Sequence, residues 1–154
     1  MRELKQGGLL SVVLPSYNEE ASIPRAAERI TELLTAADIP FELLFVDDGS
    51  KDGSWAAIQT QAARFPQVRG VRFSRNFGKE AGIYAGLQHA SGEYISLIDA
   101  DLQQRPEIVR DMVNILDEKP EYDIVAAYQD RRNEGKVLSF FKKSFYKVIN
   151  KLSK

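Results

Sequence analysis

Tyr94-Ile95-Ser96-Leu97-Ile98-Asp99-Ala100-Asp101-Leu102-Gln103-Gln104 runs from apolar to acidic within a few residues. The apolar part is short enough for a buried strand, and on an extended backbone the alternate spacing sends Asp99 and Asp101 out the same way. Two hard anionic ligands at one strand end suit Mg²⁺ or Mn²⁺, which keep open positions for phosphate oxygens. The amide oxygen of Gln103 could join them. Carboxylates ending a strand also serve as turn formers or helix caps, so the pair alone leaves both readings open.

Outward from this stretch the pattern repeats. Leu9 to Pro15 is a β-rich run closed by proline, followed by Ser16-Tyr17-Asn18-Glu19-Glu20 and a helical series at Ile23, Ala26, Ala27, Ile30, Leu33 and Leu34. Phe41 to Val46 is a second strand ending in Asp47-Asp48-Gly49-Ser50, and a helix from Gly53 is expected to bury Trp55, Ile58 and Ala62. Val68 to Phe73 is a third strand, Asn76 to Lys79 its exit loop, and Ala81 to His89 a helix. The strand ending at Asp99 reads as the central one. A helix from Pro106 carries Ile108, Val109, Met112 and Leu116, and Asp123 to Ala127 reads as a fifth strand. Such alternation predicts an α/β fold of right-handed βαβ units with a mostly parallel sheet flanked by helices. Ligands of such sheets bind at the carboxyl ends of the strands. All the unusual polar chemistry falls on that rim.

Composition narrows the chemistry. The 154 residues are 44% hydrophobic and 28% charged, which fits one globular domain with a real core. A net charge of -1 gives no basic field for a nucleic-acid partner. With Cys 0 and His 1, thiolate nucleophiles, disulfides and cysteine or histidine metal clusters are excluded. No run approaches the roughly 18 apolar residues of a membrane span, and Met1 to Gly8 has no signal-peptide core, so these residues are expected to be soluble and to face the cytosol. The chain stops at Ile149-Asn150-Lys151-Leu152-Ser153-Lys154 inside a helical pattern, which suggests a piece of something longer.

The loops then separate the functional classes. The first has no Gly-x-Gly-x-x-Gly and places Glu19 and Glu20 where a pyrophosphate needs bare amides, which argues against a dinucleotide fold or a P-loop. Asp47 and Asp48 follow the second strand, whereas a receiver-type pocket wants its acidic pair after the first. Their loop can be a turn with a cap, or its carboxylates can accept the N–H of a nucleobase on which Tyr17 stacks. In Arg75-Asn76-Phe77-Gly78-Lys79, Gly78 and Lys79 open a helix whose amides and ammonium can hold a diphosphate; a solvated basic loop is the alternative. His89 and Trp55 read as structural. From Lys136 onward, Leu138, Phe141, Phe145, Val148, Ile149 and Leu152 recur at helical spacing among lysines, giving a basic amphipathic helix that can pack on its own domain or lie on an anionic membrane.

Taken in order, Pro15-Ser16-Tyr17-Asn18-Glu19, Val46-Asp47-Asp48-Gly49-Ser50-Lys51-Asp52-Gly53, Arg75-Asn76-Phe77-Gly78-Lys79 and Asp99-Ala100-Asp101-Leu102-Gln103 resemble the family 2 glycosyltransferases of the GT-A (Rossmann-like) fold. More narrowly, they are similar to the polyprenyl-phosphate branch, which includes dolichol-phosphate mannose synthase and undecaprenyl-phosphate glucosyltransferases. The resemblance implies an inverting, metal-dependent transferase moving a sugar from a UDP- or GDP-sugar to a polyprenyl phosphate at the cytoplasmic face of a membrane, for cell-envelope glycans. It implies that Pro15, Tyr17, Glu19, Asp47 and Asp48 hold the nucleoside, with Asp48 at the base edge, and that Lys79 lies near the diphosphate. Asp99 and Asp101 are the implied catalytic carboxylates and, with Gln103, the ligands of Mg²⁺ or Mn²⁺. Arg131 and Arg132 are candidates for the acceptor phosphate. Where the family continues into a double proline, Gln104-Arg105-Pro106 keeps one. The implied division is a nucleotide-sugar-binding domain over 1–135, truncated on the acceptor side, and a juxtamembrane helix over 136–154. Such a chain is expected to bind donor and metal and to transfer sugar poorly. The alternative is a non-catalytic nucleotide-sugar binding module. Exposed Phe140, Phe141 and Phe145 would favour association between copies if the tail is off the membrane.

Overall fold

A computed structural model describes residues 8–102, 105–119 and 121–127. Strands β1 (Leu10–Ser16), β2 (Phe41–Asp47), β3 (Val68–Arg72) and β4 (Tyr94–Leu97) alternate with helices α1 (Ser22–Ala36), α2 (Ser54–Arg64), α3 (Lys79–His89) and α4 (Glu107–Glu118). Every strand pairing is parallel and the order is β3-β2-β1-β4, the expected α/β architecture.

The register follows from the apolar pattern. Val12 pairs with Leu43 and Leu14 with Phe45, and these four face the cluster that holds Ile23, Ala26, Ala27, Ile30 and Leu34 of α1. Val13, Leu44 and Val46 point the other way and meet Ala85 of α3. Covered on both faces, β2 is buried along its whole length. Each fully buried Val, Leu or Phe contributes about 1.5–3 kcal/mol of transfer free energy, so the sheet centre holds the domain together. Helix α1 starts where the Glu19 carbonyl accepts the Ser22 and Ile23 amides, and Pro24 sits in the first turn, where no donor is needed.

Topology places the site. The chain steps outward from β1 to β2 to β3 and then returns past β1 to β4. With right-handed crossovers, that reversal puts α3 on the opposite face from α1 and α2. It also opens a crevice between the ends of β1 and β4. Helix α3 lies close on the sheet: a Cβ on Gly86 would collide with the Val13 side chain, and Gly82 rides beside Pro15.

Several expectations are corrected. The strand before Asp99 ends at Leu97 and, among the described residues, is an edge of the sheet, with Ile95 43% and Leu97 46% exposed. Asp123 to Ala127 forms no strand; Ile124 is 84% exposed, because β propensity without a ladder partner does not make a strand. In α2 the third buried position is Gln61 and Ala62 is exposed, while Trp55 is half-buried against the core. The segment over 136–154 lies outside the described residues. Among the described residues no helix is long and apolar enough to cross a membrane.

Candidate functional site

Pro15 is a β1 residue whose missing donor does no harm. Ile98 donates to the Val13 carbonyl on the β4 side and Asp48 to the Ser16 carbonyl on the β2 side, so Pro15 faces the β4 side, where that strand has ended. Beyond Leu97 the chain turns rather than continuing extended. The Leu102 amide donates to the Asp99 carbonyl at 3.1 Å, and Leu102 takes a positive φ of 55°. Asp99 and Asp101 therefore leave a tight turn, not a strand, with Asp99 half-buried and Asp101 exposed. Across the crevice the Lys79 ammonium in the first turn of α3 reaches Asp99 Oδ1 at 2.6 Å. Both groups are partly solvated, so the pair is worth little in stability. Its use is to mark a place where a cation meets Asp99.

Neighbouring Asp47 and Asp48 have different surroundings. Asp47 is fully buried; Oδ1 accepts the Ser50 amide at 3.0 Å. Its Oδ2 has Arg72 Nε at 3.3 Å without hydrogen-bond geometry, so that contact is electrostatic. Arg72 also lies over the Trp55 ring. Asp48, 5% exposed, accepts the Phe77 amide on Oδ1 at 2.6 Å and the Gly78 amide on Oδ2 at 2.9 Å. Gly49 between these loops has φ 68°, and a Cβ there would overlap the Arg75 backbone.

The β1 exit loop is stitched to the β2 exit loop. Asn18, at φ 54°, donates its amide to Ser50 Oγ and accepts the Lys51 amide on Oδ1. Asn tolerates this left-handed conformation better than most residues. The Glu19 amide donates to Ser54 Oγ, the Glu20 amide to Asp52 Oδ2, and the Gly53 amide to Glu20 Oε2. The Ser54 hydroxyl, above all, and then the Ser54 and Glu20 amides hold the Asp52 carboxyl below its ordinary range. Tyr17 is left 40% exposed on the rim and Glu19 half-buried beside it.

The fold thus gathers Pro15, Tyr17, Glu19, Asp47, Asp48, Lys79, Asp99 and Asp101 at the strand ends. It brings Lys79 to Asp99 and does not bring Asp47 or Asp48 to either. Gln103, Arg131 and Arg132 lie outside the described residues. A shallow depression of about 350 Å³ lined by Gly49, Ser50, Arg72, Phe73 and Ser74 opens on the β2–β3 side, separate from the acidic turn. Sequence reasoning missed Arg72, whose only signal was its place at the end of an alternating strand, and the stitching roles of Asn18, Glu20, Asp52 and Ser54.

Whether a divalent cation fits is decided by the donor set. Among the described residues no group of three or more His, Asp or Glu side chains stands together. Asp99 and Asp101 would supply two carboxylates, enough for Mg²⁺ or Mn²⁺ only when ligand phosphates complete the shell. Oxygen donors are the right chemistry for such an ion, and Lys79 at 2.6 Å from Asp99 Oδ1 would have to share that carboxylate with it.

Comparison with known proteins follows the same lines. A family model described as Glycosyl transferase family 2 matches residues 11–152. The chain is 38% identical over 144 residues to an undecaprenyl-phosphate 4-deoxy-4-formamido-L-arabinose transferase of Aeromonas hydrophila, covering 93% of this chain and 42% of the relative. It is 35% identical over 144 residues to a bactoprenol glucosyl transferase of Shigella phage SfV, covering 94% of this chain and 47% of the relative. Among solved structures, a mannosyltransferase from Pyrobaculum calidifontis in complex with GDP-Man and Mn²⁺ superposes with a TM-score of 0.63 at 28% identity, over 73% of this chain and 33% of that one. The chain spans less than half the length of these curated relatives.

Proposed function

The chain belongs to glycosyl transferase family 2, has the GT-A fold and is similar to polyprenyl-phosphate-linked transferases, and we propose that its rim binds a nucleotide-sugar donor with a divalent cation for transfer to a polyprenyl phosphate. The observation that carries this reading is the crevice between β1 and β4, where Lys79 meets Asp99 beside the acidic turn. Tyr17, Pro15, Glu19, Asp47 and Asp48 supply the nucleoside side, where the stitched β1 and β2 loops give a fixed wall. Lys79 and the amino end of α3 supply positive charge for the diphosphate. Asp99 and Asp101, with Gln103, are the cation ligands; when bound, Mg²⁺ or Mn²⁺ neutralises the charge that grows on the departing diphosphate.

The chemistry asks little of a base. A polyprenyl phosphate oxygen is already anionic, so it attacks the anomeric carbon directly while the bond to the donor's distal phosphate oxygen breaks, inverting that centre. Positioning and charge neutralisation carry the step. Arg131 and Arg132 are the proposed contacts to the acceptor phosphate, and the basic amphipathic segment over 136–154 is the proposed seat on the cytoplasmic face of the membrane, both on sequence grounds.

Calorimetric titration of UDP and GDP, with and without Mn²⁺, tests the reading. One nucleotide should bind, need the metal, and lose at least about tenfold in affinity in Asp101→Ala. A folded chain that takes neither nucleotide, or takes one equally well without metal, rejects it.

A further inference from the structure

Leu102 stands in a backbone conformation that its side chain does not favour. Among the described residues three besides glycine have positive φ: Asn18 at 54°, Asp38 at 55° and Leu102 at 55°. Asn and Asp tolerate the left-handed region through their short polar side chains, whereas leucine has no such compensation and its Cβ crowds the carbonyl oxygen. Such a residue persists only where its surroundings over-determine it. Here the surroundings are apolar. From Ile98 onward the chain sorts by alternate residues: Ile98 and Ala100 are buried, Leu102 packs partly buried against the same core cluster, and between them Asp99 is half-buried and Asp101 exposed. Val109 and Val113 of α4 belong to that cluster. Helix α4 is itself tied from two sides, by the ion pair of Glu107 with Arg29 of α1 and by the Tyr94 hydroxyl of β4, which donates to Asp117 Oδ1 at 2.7 Å. The turn is fixed at both ends as well, since the Ile98 amide donates to the Val13 carbonyl and the Leu102 amide to the Asp99 carbonyl, each at 3.1 Å.

We propose that Leu102 is a positioning residue for the cation site: its side chain, seated against the core behind the acidic turn, holds the left-handed backbone that closes the turn and so fixes where the Asp99 and Asp101 carboxylates stand. This rests on the reading of that turn as the seat of the donor's divalent cation. In this role Leu102 acts through the two carboxylates rather than on the ion. Groups that orient metal ligands from behind typically cost about 10–100-fold in metal affinity when they are lost.

The test uses the 154-residue chain with Leu102→Met, Leu102→Gly and Leu102→Ala, which separate the apolar seat from the backbone strain. UDP and GDP are titrated with Mn²⁺ and with EDTA, and each protein is melted without ligand. For the nucleotide that binds, the gain in affinity brought by Mn²⁺ should fall about tenfold in Leu102→Gly and Leu102→Ala and stay within about threefold of the parent in Leu102→Met, with the EDTA values within about twofold throughout. Leu102→Gly should melt above Leu102→Ala, the reverse of the usual order, because only glycine takes a positive φ without strain. Leu102→Gly therefore keeps the test open if Leu102→Ala does not fold. A Mn²⁺ gain that survives in Leu102→Gly, a gain lost in Leu102→Met, equal losses with Mn²⁺ and with EDTA, or Leu102→Ala melting above Leu102→Gly would each overturn the proposal. If the unsubstituted chain binds neither nucleotide with Mn²⁺, the donor site itself is rejected and the positioning role falls with it. A parent and a Leu102→Gly variant that bind alike reject the positioning role alone.

Discussion

Asp47 is the most demanding residue of the rim: a carboxylate at 0% exposure with one directed hydrogen bond, from Ser50, and one electrostatic partner, Arg72. Removing a partner from a buried charge costs far more than removing an exposed ion pair. Arg72 is half-exposed and can be replaced partly by water, so Arg72→Ala should destabilise the chain by about 1–2 kcal/mol rather than the larger loss of a fully buried pair. Arg72→Lys should recover part of that, but not the face that stacks on Trp55. Urea unfolding of the three proteins checks the order; equal midpoints would show that solvent already screens Asp47. The sequence announced the Asp47-Asp48 pair but not its division of labour. Adjacent identical side chains differ here only in which loop arrives beside them, and that depends on contacts from about thirty residues away.

At the scale of elements, the end of the sheet opposite the site is tied by Glu42 of β2. Its Oε1 accepts the Ser11 hydroxyl of β1 and the Ser91 amide before β4, and its Oε2 meets Arg69 of β3 at 2.7 Å. Burial by itself would raise its pKa, but Ser11, Ser91 and Arg69 together hold it below the ordinary value. A depressed carboxyl pKa stabilises the fold above the unfolded value, and that contribution is lost as pH falls through the folded value. Glu42→Gln should therefore cost about 1–3 kcal/mol near neutral pH, with the gap to the parent narrowing below about pH 4. Urea midpoints measured across that range check the sign, and a gap that widens in acid would refute it. The strands and helices themselves were legible from periodicity, α1 and β2 above all. Periodicity could not tell that β4 is an edge among the described strands, that Asp99 and Asp101 leave a turn, or that Asp123 to Ala127 forms no strand. Those facts concern neighbours across the sheet, and a run of apolar residues carries no record of its neighbours.

For the whole molecule, the decisive feature is that the core and the site are separate. The fully buried side chains of β1 and β2 sit under α1 and α3, whereas the rim is built from the exits of β1, β2 and β4 and the start of α3. The chain should therefore fold without ligand, and a donor bound across these exits should join segments that are held by loop hydrogen bonds and the solvated Lys79–Asp99 pair. Binding only the native state stabilises by mass action, by about 2.7 kcal/mol at a hundredfold excess over Kd, or roughly 5–10 °C in Tm for a domain of this size. The shift should appear with the nucleoside diphosphate and Mn²⁺ together and collapse when EDTA removes the metal, because no third carboxylate joins Asp99 and Asp101 among the described residues and ligand phosphates are needed to complete the shell. Asp99→Asn and Asp101→Asn should keep the unliganded Tm within about 2 °C, since both residues lie on the rim and not in the core, yet lose the shift. A shift that survives EDTA, or that persists in both variants, would place the nucleotide away from the acidic turn and would dissociate the crevice between β1 and β4 from donor binding.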